Sequence, residues 1–184
     1  MNNNDVLLIL DDNFEEIEAI GTFAILKRSN INIDIFSLKK EKIKGRYGLE
    51  LNYPIFNKDI DLSKYDLLFI AGGPQYKELE SSSTFINVIK YFSSNNKLIA
   101  AICAGPTILG HLGLLKNKNY TCFKSMNEDF KGTYNYSYVI KDQNIISGIS
   151  AAGTIDFAFK IVEALKGKEY SNKIKDSIYY DAKK

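Results

Sequence analysis

Cys103 sits in the run Leu98, Ile99, Ala100, Ala101, Ile102, Cys103, Ala104, Gly105, Pro106, Thr107. Apolar residues of strand character lead into a cysteine, then into a glycine and a proline suited to the first turn of a helix. A tight strand-to-helix turn of this kind lifts its nucleophile to the top of a sheet. The chain folds back sharply there, so the positions two before and two after the nucleophile must be small, as Ala101 and Gly105 are. The following helix directs free N–H groups and its positive end at the sulfur, which predicts a thiol acidified toward thiolate. A thiolate adds to carbonyl carbons. The competing reading is a core cysteine that ends a strand, since free cysteine is among the most buried residue types.

The elements that must position this cysteine alternate between short apolar runs and helical spacings, which predicts an α/β fold: a mostly parallel central sheet with helices on both faces. Residues 6–10 read as the first buried strand. Phe14, Ile17, Ile20, Gly21, Ala24, Ile25 and Arg28 then follow helical spacing, capped by Asp11, Asp12 or Asn13. Strands are expected at 31–38, 66–71 and 97–102, a short extended piece at 45–54, and helices at 83–94, 105–115 and 153–165, the last stopped by Gly167. Tyr134, Tyr136, Tyr138 and Ile140 alternate at period two before a turn at 142–144, predicting a hairpin with 145–149 whose tyrosines pack on a sheet face. Ligands of such sheets bind beyond the carboxyl ends of the strands. Gly72 and Gly73 end one strand there, and the N–H groups of Gly73 and Ala104 are placed to cradle an oxyanion formed at Cys103, with Gly72 beside them.

Composition narrows the function classes. The chain has 184 residues, 45% of them hydrophobic, which suits one domain spanning residues 1–184. A net charge of +2 with lysines spread among acids gives no basic face for nucleic acid. The exception, the charged run at 39–44, reads as a solvated hairpin or loop. No leader and no apolar stretch of membrane-spanning length is visible, so a soluble cytoplasmic protein without a membrane partner is expected. Two cysteines, Cys103 and Cys122, and the single His111 supply neither a disulfide framework nor an ordinary zinc site, so no metal or other cofactor is expected. Cys122 reads as a core strand position rather than a resolving thiol.

Taken in order, Glu15, Glu16, Ile17 and Glu18 on the first helix, Gly72 and Gly73 after a strand, Ala100 to Thr107 around the cysteine, and Asp156, Phe157 and Ala158 with Ile161 to Leu165 resemble the DJ-one (ThiJ/PfpI) superfamily, nearest to its parkinsonism-associated subgroup and bacterial relatives. The resemblance implies a flavodoxin-like sandwich, a homodimer, and a reactive Cys103 hydrogen-bonded by Glu18. It implies glutathione-independent glyoxalase or deglycase-like action on small carbonyl compounds, or chaperone and peroxide-sensing roles without turnover; some relatives are proteases. Glu18 would then sit as a buried, neutral acid beside the sulfur, while Glu15 and Glu16 read as surface residues.

Two departures from that family bear on the chemistry. The stretch Thr121, Cys122, Phe123, Lys124 lacks the histidine many members carry near the cysteine. His111 lies roughly 12 Å farther along the next helix, too far to act as base. Ile149 and the segment Ser150, Ala151, Ala152, Gly153, Thr154 replace an arginine and a Gly-Pro-Gly-Thr motif. Without a Cys–His pair, peptide hydrolysis lacks an acid for the leaving amine. A response-regulator receiver, suggested by Asp11, Asp12 and Asn13 after the first strand, is discounted because the strand that should end in a phosphorylatable aspartate ends in Ala71, Gly72 and Gly73.

Overall fold

The computed structural model describes residues 5–38, 42–53, 55–56 and 60–180. Seven strands form one sheet: β1 (Val6–Ile9), β2 (Ile33–Phe36), β3 (Ile55–Phe56), β4 (Leu67–Ile70), β5 (Leu98–Ile102), β8 (Val139–Asp142) and β9 (Ile145–Gly148). Their order is β3-β2-β1-β4-β5-β9-β8, and every pair is parallel except the β8/β9 hairpin. A two-residue parallel pair, β6 (Asn119–Tyr120) with β7 (Thr133–Tyr134), lies outside it.

Period-two geometry explains why the central strands are apolar throughout. In β1, Val6 and Leu8 enter one core layer and Leu7 and Ile9 the other, all fully buried. The first layer is closed by α1 (Thr22–Arg28) and α5 (Thr154–Lys166) through Ile25, Leu26, Phe157 and Ile161. The second is closed by α3 (Ser83–Ser94) and α4 (Gly105–His111) through Phe85, Ile89, Ile108 and Leu109. Two further helices, α2 (Tyr76–Ser81) and α6 (Lys168–Ser177), complete the set.

The chain runs outward from β1 through β2 and β3, then restarts at β4 on the other side of β1, so a crevice opens between the carboxyl ends of β1 and β4. Register then decides what meets there. Ile9 pairs with Ile70, and Ile70 with Ala101. Two residues further along each strand, Asp11, Gly72 and Cys103 arrive at one level.

Several expectations are corrected. The first helix does not run evenly from residue 14: Ile17–Gly21 is a π-helical turn, and α1 begins only at Thr22. The expected helix at 105–115 ends at His111, and Gly113 at φ 74° carries the turn that follows. Lys44 and Glu50 bridge a turn where an extended piece was expected, and β3 lies after that span; residues 39–41 of the charged run fall outside the described residues. The tyrosine stripe is not a sheet face. Beyond the two residues of β7 the chain leaves the sheet until β8, so Tyr136 (75% exposed) and Tyr138 (56%) face solvent, and only Tyr134 packs, edge-on against Tyr120.

Candidate active site

Cys103 follows β5 at φ 62°, a left-handed conformation that costs a non-glycine residue roughly 1–2 kcal/mol. Its backbone is pinned on both sides: Cys103 N–H donates to Gly148 O at 2.9 Å, and Phe123 N–H donates to Cys103 O at 2.9 Å. Small residues make the turn possible, as the sequence suggests. A Cβ on Gly105 would stand 3.0 Å from Ile70 O and 3.3 Å from the Ala101 Cβ.

The π-helical turn sets Glu18. An added residue per turn rotates the chain so that Glu18 points inward at 1% exposure while Ile17, beside it, is 59% exposed. Glu18 Oε2 accepts from Gly72 N–H at 2.9 Å, and Glu18 N–H donates to Glu15 Oε2 at 2.8 Å. Gly72 must lack a side chain, because a Cβ there would stand 2.4 Å from Glu18 Oε2 and 2.6 Å from the Cys103 Cβ. The carboxyl and thiol are therefore neighbours across the empty face of a glycine, close enough for each to act on the other's proton.

Burial dominates the electrostatics of this pair. It pushes Glu18 up to about 7, helped by the charge of Glu15 and opposed by hydrogen bonds from Cys103 and from the Gly72 and Ala151 N–H groups. Burial also pushes Cys103 well above the ordinary thiol range, and the Glu18 carboxylate pushes it further, against the N–H groups of Ala104 and Gly73. The raised Glu18 matches the expectation of a buried neutral acid. A thiol acidified by the helix alone does not: two backbone donors are outweighed by lost hydration and a neighbouring negative charge. The two groups act on each other directly, so a charge on one disfavours a charge on the other.

Of the three residues expected around an oxyanion, Gly73 and Ala104 direct their N–H groups at Cys103, whereas Gly72 commits its N–H to Glu18 and serves to admit the carboxyl. Gly73, at φ 94°, lets the chain pass the 13–15 backbone: a Cβ would stand 2.5 Å from Asn13 O. Cys103 and Glu18 open into a cleft of about 590 Å³ lined also by Phe123, Ser150 and Ala151, from the two segments that depart from the family pattern, and by Arg46, Tyr47, Tyr76, Lys77 and Met126, which were not foreseen from sequence. Arg46 and Tyr47 arrive because Glu16 Oε1 accepts the Tyr47 N–H at 2.6 Å and fills the space a side chain at Gly45 would need. Glu16 is thus a structural anchor, and Glu15 is 8% exposed, so neither is the simple surface residue expected.

His111 lies outside the cleft walls, its ring held between Glu80 and Glu128 (Nε2 to Oε2 3.2 Å), and those carboxylates raise its pKa. Cys122 is fully buried, its Sγ 3.6 Å from Phe123 O, and burial pushes its thiol up to about 12. Among the described residues no cluster of histidine, cysteine and carboxylate side chains could hold a metal, and no helix is long and apolar enough to cross a membrane.

Comparison with known proteins converges on one group. Residues 4–164 match the DJ-1/PfpI family. A Caenorhabditis elegans protein named glutathione-independent glyoxalase DJR-1.2 is 30% identical over 92% of this chain and 92% of its own length. A Pyrococcus abyssi protein named deglycase PYRAB04690 is 27% identical over 67% of this chain and 75% of its own. The crystal structure of Drosophila melanogaster DJ-1beta superposes with a TM-score of 0.84 at 28% identity, covering 96% of this chain and 97% of that one. With its matched span, its sheet order and its cysteine turn, this chain belongs to the DJ-1/PfpI family.

Proposed function

We propose that the protein is a cysteine-dependent enzyme acting on small reactive carbonyl compounds, as a glutathione-independent glyoxalase or a deglycase-like hydrolase, with Cys103 and Glu18 as its catalytic residues. The observation that carries this reading is the Glu18 carboxyl, buried against the Cys103 thiol and raised to about 7. An acid with that pKa gives and takes a proton near neutral pH with little cost in either direction.

For methylglyoxal the steps balance as follows. The Cys103 sulfur adds to the aldehyde carbon, and the new alkoxide, cradled by the Gly73 and Ala104 N–H groups, takes the Glu18 proton to give a hemithioacetal. The Glu18 carboxylate then removes the hydrogen on that carbon, and the electron pair passes through an enediol to the neighbouring carbonyl. Glu18 returns that proton to the neighbouring carbon while the hydroxyl proton of the former aldehyde carbon passes to the neighbouring oxygen, which leaves a lactoyl thioester. Water cleaves the thioester to lactate and restores the thiol, so no external oxidant or reductant is consumed.

The names of the worm and archaeal relatives agree with this substrate class. Peptide hydrolysis is disfavoured because no histidine lines the cleft. The reading includes a cytoplasmic location, in keeping with the two free cysteines. It also includes a homodimer, supported by the exposed apolar residues Ile17 (59%) and Leu49 (46%) on segments joined through the Glu16 to Tyr47 bond.

A second reading, a peroxide sensor without turnover, is favoured by the contrast between the partly exposed Cys103 and the buried Cys122. One assay separates the two. Purified protein supplied with methylglyoxal and no glutathione should form lactate in proportion to enzyme, and Cys103→Ser should abolish it. Absence of lactate at high enzyme concentration would replace the enzyme with the sensor.

A further inference from the structure

Gln75 is 1% exposed, lies outside the cleft lining, and uses its whole amide. Its Oε1 accepts the Asp11 N–H at 2.6 Å, and its Nε2 donates to Ala71 O at 2.8 Å and to Gly72 O at 3.1 Å. Only this orientation of the amide satisfies one N–H and two carbonyls. The side chain thus ties the carboxyl end of β1 to that of β4 at the crevice where the site opens.

The Gly72 carbonyl is the informative partner. It belongs to the same rigid peptide unit as the Gly73 N–H, and in a trans peptide the two point in opposite directions; no described peptide bond is cis. The carbonyl is held by two donors, Gln75 Nε2 and the Glu15 N–H at 3.1 Å. Fixing the oxygen on one side therefore aims the N–H at Cys103 on the other, where it acts on the sulfur. Glycines flank this unit on both sides, with Gly73 at φ 94°, so local sterics alone hold it weakly.

We propose that Gln75 is a positioning residue that sets the direction of the Gly73 N–H toward the Cys103 sulfur and the oxyanion formed beside it. This rests on Cys103 as the reacting atom of the proposed function. Gln75 touches no reacting atom and acts through the 72–73 peptide alone. Deleting an oxyanion donor outright costs on the order of 100-fold or more in turnover; misaiming one that is still present costs less, about tenfold.

The test uses the full chain with Gln75→Met, which keeps length but loses all three bonds, and Gln75→Glu, which as a carboxylate keeps the acceptor for Asp11 and has no hydrogen for either carbonyl. Ser171→Ala is the control, removing the buried bond that Ser171 Oγ on α6 donates to Phe159 O on α5, away from the cleft. Alkylation of Cys103 by iodoacetamide, followed by mass spectrometry, reads the sulfur whether or not the protein turns over methylglyoxal. Both Gln75 variants should alkylate about tenfold more slowly, and where lactate is formed kcat should fall with KM within about twofold. Ser171→Ala should lower the melting temperature while leaving the alkylation rate unchanged. If either folded Gln75 variant alkylates at the wild-type rate, or if Ser171→Ala slows alkylation equally, Gln75 is a structural residue only and the proposal is overturned.

Discussion

Glu18 and Cys103 meet across the space that a side chain at position 72 would fill, so a buried carboxyl and a partly exposed thiol act on each other's protons. Their reactivity follows from that shared titration rather than from either group alone.

The pH profile of Cys103 alkylation should show it. Below about pH 7 both groups hold their protons. Once the pair loses the first, near the raised Glu18 value, a fixed fraction carries the charge on sulfur. The rate should climb through about 7, level off, and climb again only when the second proton leaves above the ordinary thiol range. Glu18→Gln should erase the first step and leave a single rise. A wild-type profile with one rise near the free-thiol value of about 8.5 contradicts the pairing.

The same shift makes a statement about stability. Glu18 ionises near 4.5 when unfolded and near 7 when folded, so between those values the folded state binds the extra proton and stability falls as pH rises. The loss amounts to about 3 kcal/mol and is complete above about pH 7. Glu18→Gln should therefore match wild type in chemical denaturation at pH 4 and exceed it at pH 8, its amide oxygen still accepting the Gly72 N–H. A variant less stable than wild type at pH 8 is the contrary result.

Gly72→Ala should disable the site. Its Cβ, at 2.4 Å from Glu18 Oε2 and 2.6 Å from the Cys103 Cβ, forces the pair apart. Overpacking of this kind costs about 1–3 kcal/mol, and loss of the positioned acid lowers turnover about 100-fold or more. Melting temperature and lactate formation check the two effects separately.

Cys103 and Cys122 should separate cleanly under mild peroxide. Sulfinic acid is expected on Cys103, while Cys122, fully buried with its thiol pushed to about 12, stays reduced until the protein unfolds. Site-resolved mass spectrometry reads both; equal oxidation of the two would remove the distinction.

Arg46 and Lys77, which line the cleft, should favour a negatively charged reagent. Relative to a free thiol, Cys103 should react faster with iodoacetate than with iodoacetamide, and the joint change Arg46→Ala and Lys77→Ala should remove several-fold of that preference. An unchanged ratio would mean the two cations do not act on the site.

Local chemistry made much of the architecture legible. The apolar runs at 66–71 and 97–102, the helix at 83–94 and the second hairpin arm at 145–149 are found within a residue or two, because buried strands and amphipathic helices carry their period in the chain itself. The small residues around Cys103 likewise announced the turn. The helices α2 and α6 were missed: α2 is short and begins straight after a Gly-Gly-Pro segment, and α6 is largely polar and follows a helix stop at Gly167.

The sequence by itself determined where Cys103 stands, its tight turn and the glycines beside it, since these depend on residue size and on neighbours along the chain. Only the tertiary structure decided the electrostatics and the walls of the site. The acidity of Cys103 is governed by burial and by Glu18, which comes from another strand's loop and turns inward on a π-helical turn. Glu16 brings in Arg46 and Tyr47 from a distant turn, and Gln75 clamps the 72–73 peptide from behind. Desolvation and hydrogen-bond direction are set by which segments the sheet register places side by side, and no spacing along one chain encodes that.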